Sequence, residues 1–247
     1  MKKGALHLLP RSKPKKILFD HLPKCGGSTL KRYLKAHYPM RRAYSIPPGS
    51  VAEFQAFSQS TRYRYDLIIG HLADQLIDYA HPDCIKITML RDPIERIVSH
   101  YYFVRRATEH YLHSKIMETD MSLEEYAVSG LSAELRNWYT THFTGLSIRD
   151  AEKNPAESVA KAIDAIMKTY DVVGFLDDFE SFIHAVHKKA NLKHEFQGEK
   201  VNVTENRPNL DSIPLSSREK IMEVNQLDID LYRKLKTQLS NNALLIG

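Results

Sequence analysis

Cysteine is scarce in this sequence: Cys25 and Cys84 are the only two among 247 residues. Two cysteines do not make a disulfide framework in a chain of this length. Neither belongs to a CxxC motif or to a Cys/His cluster of the kind that binds zinc. We therefore expect two free thiols and no metal site.

Long apolar runs are also missing. No stretch approaches the 18 or so consecutive apolar residues of a transmembrane helix. The apolar patch near the N-terminus, Ala5–Leu9, is shorter than the core of a signal peptide. We expect residues 1–15 to be a basic lead-in and residues 1–247 to form a single domain. These features suggest a cytoplasmic protein.

The chain carries a small excess of positive charge. The formal net charge is +5 and the isoelectric point is near 9.0, with 43% hydrophobic residues. Such a composition is ordinary for a globular protein. The basic bias suits an anionic partner, such as nucleic acid, a membrane surface, an acidic sugar or a nucleotide phosphate. The sequence contains no recognised nucleic-acid-binding motif, so we expect no nucleic-acid partner.

Strand and helix patterns alternate along the chain. Strands are predicted at residues 16–22, 66–70, 85–90 and 172–176. Helices are predicted after the glycines at 26–27, from Pro93 onward, and at 122–129, 133–143, 157–170, 177–190 and 216–239, with a loop at 199–214. This alternation predicts an α/β fold of three layers, in which a mostly parallel central sheet carries helices on both faces.

The segment HLPKCGGSTL, residues 21–30, has the features of an anion-binding turn. Two glycines let the backbone approach a ligand closely, and Ser28 and Thr29 open a helix whose N-terminus attracts anions. Lys24 adds a positive charge. The motif is not a Walker A loop, because its lysine precedes the glycines. A tight strand-to-helix turn without a ligand is the alternative.

A second candidate anion site is RDPIERIVSH, residues 91–100. Arg91 ends a predicted strand, and Ser99 follows about two helical turns later. A guanidinium at the carboxyl end of a strand can bind a phosphate through two parallel hydrogen bonds. The alternative for Arg91 is an ion pair with Asp92 or Glu95. Asp92 also has the position of a Walker B acid, but no Walker A loop accompanies it.

Together the two segments resemble the sulfotransferases that use 3′-phosphoadenosine-5′-phosphosulfate (PAPS). HLPKCGGSTL is similar to the 5′-phosphosulfate loop of the carbohydrate branch, and RDPIERIVSHYYF to the 3′-phosphate segment, especially of the heparan and uronyl 2-O-sulfotransferases. Looser similarities are GHL at 70–72, VGFLDDFESF at 173–182 and NQLDIDLY at 225–232, so the resemblance spans residues 16–236. It implies a P-loop-NTPase-like sulfotransferase fold.

The resemblance also implies roles for residues. The 5′-phosphosulfate would be held by Lys24, Cys25, Gly26, Gly27, Ser28 and Thr29, and the 3′-phosphate by Arg91 and Ser99. Lys24 would stabilise the leaving phosphate, with no metal required. Histidine suits the general base because it titrates near neutral pH. The resemblance selects His71, which follows the strand pattern DLIIG; His21 and His100 are the next candidates, and a structural role for His71 stays open.

Three further segments carry open alternatives. Thr204 and Arg207, in the loop VNVTENRP, would fold over the nucleotide or lie on a solvated surface. The stretches TRYRY (61–65) and FVRRATEHY (103–111) mix basic and aromatic residues, which either grip a sugar or form ordinary amphipathic faces. We expect the run Tyr101–Phe103 to belong to the core rather than to contact the acceptor.

The expected function is transfer of the sulfuryl group of PAPS, with 3′-phosphoadenosine-5′-phosphate (PAP) as product, to an acceptor hydroxyl. The resemblance suggests a carbohydrate or glycolipid acceptor. A compact chain that starts at its own methionine and has no membrane anchor suggests a bacterial enzyme. Two other classes remain open: a nucleotide-dependent phosphotransferase or hydrolase, and a non-catalytic protein that binds polyanions.

Overall fold

A parallel sheet of buried strands organises the molecule. The computed structural model of the protein describes residues 13–198 and 210–244. Within these ranges the strands are β1 Ile17–Asp20, β2 Ala43–Ser45, β3 Leu67–Gly70, β4 Ile85–Leu90 and β5 Val172–Phe175. They pair in the order β2-β3-β1-β4-β5, and every pairing is parallel. The predicted α/β class with a parallel central sheet is therefore confirmed.

Helices connect and cover the strands. In the described part of the chain they are α1 Gly27–Lys35, α2 Ala52–Ala56, α3 Gln59–Arg62, α4 Pro93–Arg106, α5 His113–Glu118, α6 Leu123–Val128, α7 Trp138–Thr144, α8 Ile148–Lys153, α9 Pro155–Thr169, α10 Phe179–Ala190, α11 Leu215–Val224 and α12 Gln226–Leu244. Short 3₁₀ segments lie at Met40–Arg42, Ala73–Tyr79, Ala133–Leu135, Leu176–Asp178 and Leu210–Ser212. None of these helices combines the length and the apolar character that a bilayer-spanning segment requires.

Both faces of the sheet are buried, because alternate residues of a strand point to opposite sides. On one face Ile17 and Phe19 belong to a core that includes side chains of α1 and α10. On the other face Leu18 packs in a separate core with Phe54 and Leu76. A parallel sheet with both faces covered needs near-continuous apolar strands, and the sequence ILFD of β1 is buried at all four positions.

The start of α4 follows the rules for helix initiation. Pro93 occupies the first turn, where its missing N–H costs nothing. The Asp92 carboxylate accepts hydrogen bonds from the backbone N–H groups of Ile94 and Glu95 at 3.0 and 3.1 Å. Asp92 is therefore the N-cap of α4, and its position after β4 does not make it a Walker B acid.

Two predicted helices prove to be interrupted. The segment predicted as one helix at 133–143 begins with a 3₁₀ turn that ends at Leu135, and the helix α7 begins only at Trp138. Likewise, the helix predicted at 216–239 breaks at Asn225 into α11 and α12. The cause is a buried contact between the two breaks: the Asn137 N–H donates to the Asn225 side chain at 3.0 Å, and the Asn137 side chain accepts from the Leu227 N–H at 3.0 Å. Periodicity alone does not reveal such a pairing of backbone and amide groups.

Strand β2 was not predicted. It has only three residues, Ala43–Ser45, too few to display a period of two. Prolines lie on both sides of it, at 39 and 47–48, and they indicate turns. The strand exists because its residues pair in register with Leu67, Ile68 and Ile69 of β3.

We expect Asp228→Ala to destabilise the fold by about 3 kcal/mol. The buried Asp228 carboxylate accepts hydrogen bonds from the N–H groups of Tyr139 and Thr140 and from the Thr140 hydroxyl, at 2.9 to 3.0 Å. Alanine leaves these donors at the start of α7 without an acceptor. Urea unfolding measures the change; Asp230→Ala, on the same helix, is the control and should cost under about 0.5 kcal/mol. Equal losses for the two variants would contradict this role of Asp228.

Candidate functional site

The predicted anion-binding turn lies between β1 and α1. Lys24 and Gly26 both adopt left-handed backbone conformations, with φ of 65° and 74°. Gly26 is the N-cap of α1; among the described residues no side chain caps this helix and no acidic residue lies in its first turn. The N-terminus of α1 thus presents its dipole without competition from a capping side chain, as an anion site requires.

Gly27 is needed for close packing rather than for its backbone conformation. A Cβ atom at this position would lie 1.8 to 2.6 Å from ring atoms of His21. The His21 ring is held in place by stacking on Phe19 and on His71, with centroid distances of 5.5 and 4.4 Å. The second glycine of the motif therefore makes room for an imidazole at the edge of the turn.

The Lys24 ammonium lies over an aromatic ring. Its Nζ atom is 3.7 Å from the centroid of the Phe103 ring, on α4. Burial, followed by the positive charges of Arg91 and Arg106, lowers the pKa of Lys24 to about 8. Phe103 is partly buried and packs against the hydrophobic core that contains Tyr101, so its ring belongs to the edge of that core and also contacts Lys24.

Beneath the turn, Cys25 points into the core. Its thiol is 3.1 Å from the Tyr139 hydroxyl, and burial raises the pKa of the thiol. The other cysteine, Cys84, is also buried, and both are free, as predicted. A buried thiol with a raised pKa is unreactive, so any contact of Cys25 with a ligand would be through its backbone.

Arg91 directly joins the two predicted phosphate segments. Its Nη1 donates to the carbonyl oxygen of Lys24 at 3.2 Å. Its Nε and Nη2 both donate to Oε2 of Glu95, at 3.1 and 2.8 Å. The ion pair with Glu95, one of the two alternatives for Arg91, is thus present, while Asp92 caps α4. Ser99 lies on α4 and is 4% exposed.

The candidate base His71 lies just beyond β3, at the same edge of the sheet. Asp20 and Gly70 are register partners at the ends of β1 and β3, so the residues that follow them, His21 and His71, are neighbours. The Nδ1 atom of His71 is 2.6 Å from the carbonyl oxygen of His21. A carbonyl oxygen only accepts, which assigns the hydrogen of His71 to Nδ1 and leaves its Nε2 as a proton acceptor. The His71 side chain is exposed.

The other two candidate bases are poor proton acceptors. Burial, together with the charges of His71, Lys31 and Lys24, lowers the pKa of His21 to about 3. His100 is buried on α4, where its Nδ1 is 2.6 Å from the Tyr126 hydroxyl. Burial and neighbouring positive charges lower the pKa of His100 to about 3 as well.

The remaining predicted segments fall in different places. Thr204 and Arg207 lie outside the described residues. TRYRY lies at the amino edge of the sheet, since the Lys16 ammonium, just before β1, binds the carbonyl oxygens of Tyr63 and Tyr65. That edge is opposite to the turn, so TRYRY is no part of the candidate site. FVRRATEHY begins at Phe103 and does lie beside Lys24.

Sequence reasoning missed one residue that links the site together. The Tyr139 hydroxyl donates to the Arg91 carbonyl at 3.0 Å and accepts from the Arg91 N–H at 3.1 Å, in addition to its contact with Cys25. Tyr139 comes 48 residues after Arg91, and nothing in the surrounding sequence marks it. Glu95, by contrast, is visible as a residue one helical turn after Arg91.

We expect Lys24 to lose its proton around pH 8 in the free protein. Acylation of an amine requires the unprotonated form, so labelling by acetic anhydride should reach half its maximal rate near that pH. Mass spectrometry of proteolytic fragments measures the rate at each lysine. A Lys24 curve with its midpoint near the ordinary lysine pKa of about 10.4 would show that burial and the neighbouring arginines do not act as described.

Comparisons with known proteins identify the family. The sequence model of the Sulfotransferase family matches residues 9–234. A search of curated proteins found no match. Among solved structures, a sulfotransferase from Alicyclobacillus acidocaldarius is similar, with 17% sequence identity and a TM-score of 0.46 over 91% of this chain and 96% of that chain. A likeness of that degree bears on neither the activity nor the residues that carry it. Because the family match covers most of the chain, the protein belongs to the sulfotransferase family.

Proposed function

We propose that the protein transfers the sulfuryl group of PAPS to a hydroxyl of a carbohydrate or glycolipid. The observation that carries the donor assignment is the contact between the two anion-binding segments, in which Arg91 donates to the backbone of Lys24. A nucleotide with phosphates at both the 5′ and the 3′ position fits two adjacent sites of this kind. The family membership supports sulfuryl transfer as the reaction.

The 5′-phosphosulfate would bind at the N-terminus of α1. The backbone of Cys25, Gly26 and Gly27 would face its oxygens, and the hydroxyls of Ser28 and Thr29 would add donors. Ser28 is exposed and Thr29 is buried. The helix dipole and these donors together favour a charged oxyanion at this position.

The 3′-phosphate would bind at Arg91 and Ser99. Arginine has five N–H donors, so it can hold a phosphate while it keeps other partners. Glu95 already occupies Nε and Nη2 of Arg91, and the phosphate would have to share the guanidinium with this carboxylate or replace it. Thr204 and Arg207 remain predicted contacts of the nucleotide.

His71 is our candidate for the general base. It is exposed at the carboxyl edge of the sheet, and the His21 carbonyl fixes its tautomer so that Nε2 can accept a proton. The low pKa values of His21 and His100, about 3, make these two residues poor bases near neutral pH. Stacking on the His21 ring restricts the orientation of the His71 imidazole.

The chemistry would follow from these positions. His71 Nε2 would take the proton of the acceptor hydroxyl as the acceptor oxygen forms its bond to sulfur. The bond between sulfur and the bridging oxygen of the donor would break, and Lys24 would neutralise the charge that develops on the leaving phosphate. A bound anion stabilises the protonated lysine, so it would raise the pKa of Lys24 from its low value in the free protein.

An aromatic and basic surface beside Lys24 supports a sugar as acceptor. Tyr111 is 71% exposed and stacks on His110, with ring centroids 4.7 Å apart. The His110 ring in turn lies edge-on to Phe103, the ring beneath Lys24. Aromatic faces can stack on sugar rings, and the exposed Arg106 at the end of α4 suits an acidic group. Resemblance to glycan sulfotransferases points to the same acceptor class.

The direct test is transfer of labelled sulfate from PAPS to a panel of oligosaccharides, glycolipids and small alcohols. We expect label on a sugar-containing acceptor, and we expect PAP to raise the thermal unfolding midpoint more than AMP does. Transfer to no acceptor together with no stabilisation by PAP would refute the proposal. Hydrolysis of ATP that depends on Mg²⁺ would instead support a phosphotransferase or hydrolase.

For His71→Ala we expect turnover to fall by roughly 10² to 10⁴, because a general base contributes about that factor. The affinity for PAP, measured by calorimetry, should stay within about twofold, since His71 is not assigned to the donor site. His184→Ala is the control, an exposed histidine on α10, and it should leave turnover unchanged. Near-normal turnover of the His71 variant, with PAP still bound, would remove His71 from the mechanism.

A further inference from the structure

A largely buried cluster of titratable side chains adjoins the candidate base but belongs to neither anion site. It consists of Asp20 at the end of β1, Asp74 in the 3₁₀ segment Ala73–Tyr79, and His142 on α7. One side-chain oxygen or nitrogen atom from each residue lies within 4.8 Å of the other two. Three elements that are distant in sequence therefore bring two carboxylates and an imidazole together.

The cluster is only partly satisfied by hydrogen bonds. Asp20 is 1% exposed, and its carboxylate accepts a hydrogen bond from the Tyr170 hydroxyl at 2.6 Å. His142 Nε2 lies 3.8 Å from the same carboxylate, close enough for an ion pair but too far for a hydrogen bond. Within the described part of the chain, His142 Nε2 and Asp74 Oδ1 are buried atoms without a hydrogen-bond partner. Buried polar atoms of this kind require an explanation.

Charge provides the explanation. Two carboxylates close together away from water repel each other, and a positive charge beside them relieves that repulsion. Burial alone lowers the pKa of His142, but the Asp20 and Asp74 carboxylates outweigh burial and the opposing charge of Arg96 and raise it. Burial and the charge of Asp20 raise the pKa of Asp74.

The ring of His142 is also fixed in orientation. It stacks on Trp138, one helical turn earlier on α7, with the ring centroids 4.7 Å apart and the planes at 21°. A ring held flat against the indole keeps its nitrogen directed at the Asp20 carboxylate.

Two residues of the cluster lie close along the chain to the two partners of the contact between His21 and His71. Asp20 immediately precedes His21, whose carbonyl accepts the Nδ1 hydrogen of His71. Asp74 follows His71 by three residues, across Leu72, which has a left-handed φ of 64°. A non-glycine residue in this conformation persists only where its surroundings hold it.

We infer that a protonated His142, placed between Asp20 and Asp74, is a positioning residue for the pair His21–His71. Its positive charge holds the ends of two segments together and so fixes where Nε2 of His71 lies. The inference rests on the proposed function only where it concerns turnover. The charge arrangement itself stands on the contacts above.

The test uses His142→Gln alone and combined with Asp74→Asn. The single variant leaves two facing carboxylates without a cation, and we expect turnover to fall about tenfold to a hundredfold while PAP affinity stays within about twofold. The double variant removes one of the two negative charges, and we expect it to recover most of the lost turnover. If repulsion between the two carboxylates prevents His142→Gln from folding, the double variant should fold, because it keeps only one of these carboxylates.

The matched control is His81→Gln. His81 lies beside Asp83, with Nδ1 3.7 Å from the carboxylate, and it comes shortly before β4 at the opposite edge of the sheet. This variant should behave as the unmodified protein. Full turnover of His142→Gln would show that the inference is wrong. The inference is also wrong if the double variant is as impaired as His142→Gln, since removing a carboxylate would not rescue the loss of a residue that only fills space.

A second measurement separates this inference from the proposed function. ¹⁵N spectra of histidine side chains report which nitrogen of His71 carries the hydrogen. We expect the Nδ1–H form of His71 to dominate in the unmodified protein, to lose its dominance in His142→Gln and to regain it in the double variant. If the unmodified protein transfers no sulfate, the proposed function fails and these spectra still decide the inference; an unchanged tautomer in His142→Gln overturns it.

Discussion

The candidate site depends on the hydrogen bonds of one buried group, the hydroxyl of Tyr139. It donates to the Arg91 carbonyl, accepts from the Arg91 N–H and lies against the Cys25 thiol. One hydroxyl thereby joins the end of β4 to the turn that follows β1 and uses its full hydrogen-bonding capacity. Tyr139 in turn is held by the Asp228 carboxylate at the start of α7, so the C-terminal helix α12 helps to fix the geometry of a turn near the N-terminus.

Electrostatics distinguishes the two sides of this site. On the side of the candidate anion-binding turn, Lys24 and Arg91 gather positive charge at the N-terminus of α1. Burial, followed by the charges of Arg91 and Arg106, lowers the pKa of Lys24. Glu95 offsets part of that charge at Arg91. On the side of the candidate base, burial lowers the pKa of His21 and keeps its ring neutral. His71 is exposed, and the His21 carbonyl fixes its tautomer. Beyond it lie Asp20, Asp74 and His142. Nε2 of His142 is 3.8 Å from the Asp20 carboxylate, and the two carboxylates outweigh burial and raise the pKa of His142.

Local patterns identified most of the residues that meet at the carboxyl edge. The turn, Arg91, and the histidines that follow β1 and β3 each stand directly after an apolar strand. In a parallel sheet such ends meet at one edge. The same patterns gave no sign of Tyr139 or His142, which lie on α7, a short helix that was expected to extend from residue 133. Its actual start is fixed by Asn137 and Asn225, and that contact spans 88 residues.

The sequence alone determined the α/β class, four of the strands and the two candidate anion-binding segments, because these follow from apolar runs, glycines and charges that are close together along the chain. Only the tertiary structure decided which neighbours these residues acquire. Phe103 lies under Lys24, Glu95 forms an ion pair with Arg91, and the His21 carbonyl sets the tautomer of His71. Each of these contacts depends on the distance between side chains on separate elements, and packing of the helices on the sheet sets that distance.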